Sequence, residues 1–216
     1  MTVLGFDEVA RAVLAAPAVD GTRVVGVDGP SGSGKSTLAR RLRARLPGSG
    51  LVAVDDFVSW SDPGGWWPRF DAQVLRPLLA GQPARHQVRD WSGDEFGTAL
   101  GGWRHLPWAP VVLVEGVTCT RREAAPRLAY AIWVEAPAPL RLSRGLARDG
   151  ADHLDLWQRW MAWERGFFAA DETRERADLR VDGDPAVPHD PETQLVLVPA
   201  VRAAPAGPGD PGTARR

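Results

Sequence analysis

The sequence predicts an α/β protein built in three layers: a five-stranded, mostly parallel sheet with helices on both faces. Three observations carry that expectation. Apolar runs rich in valine recur at residues 24–27, 51–54, 111–114 and 131–134, with a weaker one at 179–181. Stretches of helical period separate the runs, and each run closes on a carboxylate: Asp28, Asp55, Glu115, Glu135 and Asp182. Runs without polar alternation suit strands covered on both faces, and helices between successive strands impose right-handed parallel crossovers. Ligands bind in the crevice beyond the carboxyl ends of such strands, so the acids are expected along one edge, where Glu135 and Asp182 can equally be plain strand ends.

The helices follow in order. Phe6–Ala15 reads as a short leading helix, and residues 36–46 form the helix after a glycine-rich turn. Asp71 stands as an N-cap for a helix running to Leu79 and stopped by Gly81. Pro139 fits the first turn of a helix that carries Arg141, Arg144 and Arg148 and ends near Gly150. Residues 152–176 form a long helix or a broken pair, with Leu156, Trp160, Trp163 and Phe167 making an apolar stripe that belongs in the core. Six of the ten tryptophans fall between residues 60 and 108 among glycines and prolines, which predicts a small loop- and β-rich insertion at about 58–108. One domain is expected over residues 1–198. Residues 199–216 carry too little apolar mass to pack and are expected to form a disordered tail.

Composition narrows the partners. A net charge of −1 over 216 residues offers no bulk field for nucleic acid or an anionic membrane. Cys119 is the only cysteine, which excludes an internal disulfide and a cysteine zinc cage, and His105, His153 and His189 lack metal-ligand spacing. No apolar stretch approaches the roughly 18 residues that cross a bilayer. The expectation is a cytoplasmic protein with small-molecule partners, its oligomeric state open.

The most specific signal is VDGPSGSGKST at residues 27–37, which holds the only lysine of the chain. Gly29, Gly34, Lys35 and Ser36 satisfy G-x-x-x-x-G-K-[ST], between a predicted strand and a predicted helix. Such a loop turns successive backbone N–H groups around a phosphate at the positive end of a helix. Ser31, Gly32, Ser33 and Thr37 complete the expected nucleotide contacts. Lys35 reaches the β- and γ-phosphates as a compact point charge, and Ser36 holds Mg²⁺. A guanine-reading N-K-x-D motif is impossible, because the chain has no asparagine and no second lysine. A GTPase switch is therefore not expected, and a small-molecule kinase fits the length better than a motor; the donor is read as ATP, with its preference over other triphosphates left open.

The stretches VDGPSGSGKSTLARRL, VAVDDF and RLSRGLARDG resemble the uridine kinase and phosphoribulokinase group of P-loop kinases, over roughly residues 24–182. The resemblance implies the P-loop NTPase fold. It implies a catalytic base at Asp55, with Asp56 as the competing candidate. A carboxylate leaving the strand next to the loop can also accept a hydroxyl proton and help hold Mg²⁺ on chemical grounds. In VVLVEG, Glu115 resembles the family's acid near the metal or stands as an ordinary strand end. Arg144 and Arg148 resemble the phosphate-closing arginines of a lid at about 139–153, the other reading being a solvated helix face.

On the acceptor side the resemblance implies contacts from Asp56, Phe57, His86, Asp90 and Trp91. His86 has packing as its other role, and the tryptophans can stack on an acceptor or seal the insertion. This sequence departs from the uridine-reading pattern at Asp94, Glu95 and Phe96. The function implied is ATP-dependent phosphorylation of a hydroxyl on a nucleoside-like or other small polyol. A catalytically silent ATP-binding sensor is the alternative from a different class.

Overall fold

The computed structural model describes residues 2–199, so the tail expected beyond that point lies outside the described residues. The elements run β1 (Val3–Gly5), α1 (Phe6–Ala15), β2 (Arg23–Asp28), α2 (Lys35–Ala44), β3 (Gly50–Ala53), α3 (Trp67–Phe70), α4 (Arg76–Leu79), β4 (Ala84–Arg89) and β5 (Leu100–Leu106). The second half continues with β6 (Val111–Glu115), β7 (Tyr130–Glu135), α5 (Ala138–Asp149), α6 (Leu154–Asp171), β8 (Leu179–Asp182) and β9 (Gln194–Leu197).

Among the described residues the main sheet has seven strands in the order β1-β9-β8-β7-β2-β6-β3. The five expected strands form its parallel block, β8-β7-β2-β6-β3. Two short antiparallel strands, β1 and β9, extend it on one side. Each is only three or four residues long, too short to leave a periodic signal in the sequence. Valines alternate between two cores because successive strand side chains point to opposite faces. Val24, Val112, Val114 and Trp133 pack with the insertion and α6, while Val25, Val27, Leu113 and Ile132 pack with α1 and α2.

The insertion is part helix and part hairpin. Helical structure begins at Trp67, where Pro68 suits a first turn, and passes through a π-helical turn, Asp71–Leu75, into α4. Asp71 therefore does not cap a helix. Its buried carboxylate lies between Arg76, at 2.7 Å, and Arg127. Strands β4 and β5 pair antiparallel as a separate two-stranded sheet. No helix among the described residues is long and apolar enough to cross a membrane.

Candidate active site

The glycine-rich loop is shaped by contacts that only glycine permits. Gly29 has φ 138°, and a Cβ there would stand 2.0 Å from the Val134 carbonyl oxygen of β7. Gly32 has φ 77°, and its Cβ would meet the Arg141 carbonyl oxygen at 2.6 Å. The loop is pressed between β7 and α5. Asp28 anchors its start: the fully buried carboxylate accepts from the N–H groups of Gly29 (2.6 Å), Thr118 (2.8 Å) and Thr120 (2.7 Å) and from the Thr120 hydroxyl (2.9 Å). Burial pushes its carboxyl up to about 6, against the donors of Thr120 and Gly29 and the charge of Lys35.

A clamp holds the middle of the loop from outside. Glu164 on α6 is 1% exposed; its Oε2 accepts the Ser31 N–H at 2.9 Å, and its Oε1 accepts from Arg141 Nη1 at 2.6 Å. Arg141 Nη1 also donates to the Ser31 carbonyl (3.2 Å), and the Trp160 indole donates to the Ser31 hydroxyl (2.8 Å). The sequence reading missed this clamp. Its trace was there: Glu164 falls among Trp157, Trp160 and Phe168 on the buried face of α6, where an unpaired charge would be prohibitive.

Inside the loop lies a cavity of about 180 Å³, lined by Gly34, Lys35, Ser36, Asp55, Glu115 and Arg148 among others. Lys35 Nζ donates to the Pro30 carbonyl at 3.0 Å, and Ser36 Oγ donates to Glu115 Oε2 at 3.1 Å. Burial, then repulsion from Asp55, raises the Glu115 carboxyl. Water reaches Asp55 from the open cleft, yet the surrounding walls strip enough solvent to raise its carboxyl, against Lys35 and Arg148. Two repelling carboxylates and a hydroxyl, all oxygen donors, suit a hard divalent cation such as Mg²⁺.

A second cavity of about 470 Å³ adjoins the first, and Asp55 and Arg148 line both. Its other walls include Trp60, Trp91, Trp157 and Trp160, with Glu95 and His153 near the hairpin. Trp91 donates to the Asp55 carbonyl at 2.8 Å, tying the hairpin to the turn that carries the acid. Arg148 is held by Asp149 through two hydrogen bonds, at 2.7 and 2.9 Å. The tip of the hairpin touches the start of α6: Glu95 bonds His153, and Phe96 stacks on the same ring. Trp160 thus serves both the core and a cavity wall.

Several residues expected at the site lie elsewhere. Of the five expected acceptor contacts, Trp91 alone lines the larger cavity among the described residues. Asp56 is buried and bonded to His86 (2.8 Å) and Arg104 (2.8 Å), which turns it away from the role of base. Phe57 is core, stacked on His86. Asp90 accepts the Gly93 N–H in the hairpin turn. Arg144 faces outward, donating to the Gly32 (3.1 Å) and Gly183 (3.2 Å) carbonyls, on a third cavity of about 510 Å³ that also touches Ser33, Gly34 and Thr37.

The AAA domain family matches residues 25–166. A nicotinamide riboside kinase of Eremothecium gossypii is 28% identical over 166 residues, covering 64% of this chain and 69% of that protein. Among solved structures, a protein described as a possible uridine kinase from Bacillus stearothermophilus superposes with a TM-score of 0.60 at 21% identity, over 81% of this chain and 96% of that one. D-glycerate 3-kinase from Cryptococcus neoformans var. grubii gives a TM-score of 0.50 at 12% identity, over 82% and 95%. These likenesses establish the α/β fold with its mostly parallel sheet.

Proposed function

The chain belongs to the AAA domain family, and from that premise we propose that it is a kinase moving the γ-phosphoryl group of ATP to a hydroxyl of a small acceptor. One observation carries the proposal: a phosphate-sized cavity and an aromatic cavity meet at Asp55 and Arg148. The similarity to a nicotinamide riboside kinase supports the reaction class and leaves the acceptor open.

In this mechanism the acceptor hydroxyl lies in the larger cavity beside Asp55. Its oxygen bonds to the γ-phosphorus, the bond to the ADP oxygen breaks, and the hydroxyl proton passes to Asp55. Lys35 and the backbone N–H groups of the loop from Gly29 through Thr37, including Ser31 and Ser33, neutralise and orient the phosphates. Arg148 meets the charge that spreads over the transferring group. Ser36, Glu115 and Asp55 are the residues that would hold Mg²⁺, which when bound shields the phosphate charge. We assign the base of the donor to the outer cavity beside Thr37, Arg144 and residues 183–185. The catalytic domain is residues 1–198, the hairpin region 58–108 covers the acceptor and residues 139–153 are the lid.

The test is acceptor-stimulated ADP release with Mg·ATP across nucleosides, sugars, glycerate and vitamin precursors. Stimulation by at least one alcohol, with phosphate recovered on it, is expected. ADP release that no alcohol stimulates, in protein that binds ATP, would instead support a silent nucleotide sensor.

A further inference from the structure

We propose that Asp56 is a positioning residue for phosphoryl transfer: gripped by the β4–β5 hairpin, its carboxylate fixes the turn that aims Asp55, so that the wall of the acceptor cavity and the base move as one body. The inference rests on the kinase reading and extends it from the base to what holds the base.

Asp55 needs such support. Among the described residues no group hydrogen-bonds its carboxylate; what holds this residue is a bond to its backbone carbonyl and the field of the charges around it. Its direction is therefore set by the backbone of the 3-10 turn Val54–Asp56. A reacting group displaced by about 1 Å loses about a hundredfold in rate, so whatever fixes this turn fixes the reaction.

Two cross-strand neighbours hold the turn from behind. His86 on β4 and Arg104 on β5 are direct partners in the hairpin register, which puts both side chains on one face. They converge on one carboxylate: His86 Nε2 lies 2.8 Å from Asp56 Oδ2, and Arg104 Nη1 donates to both oxygens at 2.8 Å. The His86 ring also stacks on Phe57, the next residue, with centroids 4.9 Å apart at 27°. His86 is buried, so its bond to Asp56 is made away from water, where it is stronger than at the surface.

Ties to the backbone complete the grip. Arg69 donates to the Asp56 carbonyl at 3.0 Å and to the Gln87 carbonyl of β4, with its guanidinium carbon 4.5 Å from the centre of the Phe57 ring. The Trp91 indole donates to the Asp55 carbonyl at 2.8 Å, and the same indole walls the acceptor cavity. Asp55, Asp56 and Phe57 are thus each fastened to the insertion. Of the three side chains, the one left without a partner is the one that must meet the acceptor.

The experiment measures ADP release with Mg·ATP and a saturating alcohol, the one in the panel above that stimulates the parent most. Expected for Asp56→Asn is a kcat lower by at least about tenfold, with the KM for Mg·ATP within about twofold of the parent's. Arg104→Ala, at a side chain 61% exposed, spares the packing and decides the matter where Asp56→Asn fails to fold. Its kcat should fall by at least about threefold, and Arg104→Lys, which keeps the charge, should restore most of it. The decisive arm is the Asp55→Asn background. There either substitution should lower the residual kcat by less than about twofold, because the base through which it acts is gone, whereas a residue that only holds the fold would lower it as before. Parent-like kcat in either folded single variant, or a full loss that persists without Asp55, overturns the positioning role and leaves the kinase reading standing. A panel that stimulates no ADP release from the parent overturns the kinase reading and the positioning role with it.

Discussion

Glu164→Gln is the substitution that tests the clamp behind the phosphate loop. The carboxylate is 1% exposed and makes two contacts, to the Ser31 N–H at 2.9 Å and to Arg141 at 2.6 Å. Glutamine fills the same volume, so no cavity opens. It can still accept from Ser31, but its amide nitrogen then faces the guanidinium with donors on both sides and strands a nearly buried cation. Breaking a buried pair from one side costs about 3–5 kcal/mol. At roughly 2–4 °C per kcal/mol for a domain of this size, the melting temperature should fall by roughly 6–20 °C. Urea unfolding with an unchanged slope gives the free-energy difference directly. Removing both partners with Glu164→Leu and Arg141→Met should recover most of the stability, because an ion pair replaced whole by apolar groups is near neutral. Calorimetry with Mg·ADP should still show weaker binding in the double variant, since Ser31 has lost its acceptor. A single variant within about 1 kcal/mol of the parent, or a double variant no better than the single, would refute the reasoning.

Lys35→Ala should raise the dissociation constant for Mg·ATP by at least about a hundredfold while far-UV circular dichroism stays that of the parent, a charge-assisted phosphate contact being lost; binding within a factor of three would remove Lys35 from the cradle. Asp55→Asn should lower kcat by about two to four orders of magnitude, the scale of a general base, with nucleotide affinity little changed. Because burial raises the Asp55 carboxyl above its ordinary 3.8 and the ionised form is the one that acts, kcat/KM should fall with slope one below that raised value and level off above it. A pH profile with no acid limb, or one that survives in Asp55→Asn, would move the base elsewhere. Gly32→Ala forces a side chain to φ 77° and to 2.6 Å from the Arg141 carbonyl. Strain of this kind is worth about 1–3 kcal/mol, measurable by urea unfolding, and parent-like stability would mean that the loop tolerates the side chain.

The parallel block was legible because a strand buried on both faces must be apolar throughout, and residues 111–115 satisfy that almost without exception. The phosphate cradle was legible because its geometry admits few residue types. The acceptor side was not, for a physical reason. Asp55 and Asp56 are adjacent and chemically alike, yet one faces the cleft and the other is hydrogen-bonded to His86 and paired with Arg104, on a hairpin 30 and 48 residues away. Pairings of that kind follow from long-range docking, which composition does not encode. The hairpin tip is the same case: Glu95 and Phe96 gain a role only by meeting His153 across the cavity mouth. Asp71, read locally as a cap, became a buried counter-ion because Arg127 arrives from 56 residues away.

The lone lysine follows from how the two kinds of cation are used around one loop. The arginines work from outside, where several acceptors lie at fixed spacing: Arg141 bridges the Ala136 and Ser31 carbonyls and Glu164, and Arg144 bridges the Gly32 and Gly183 carbonyls. A planar fork suits that task, since it fixes backbone from two separate loops with one side chain. Inside the loop the demand is the reverse. Lys35, 7% exposed, meets the Pro30 carbonyl through one nitrogen and sits in the field of Asp28, Asp55 and Glu115. A guanidinium there would need coplanar acceptors that this narrow cavity does not provide, and its bulk would fill the space a phosphate must enter. A chain can therefore replace lysine by arginine wherever charge is displayed on backbone or solvent, and must stop where charge has to be concentrated at a point within a ring of amides.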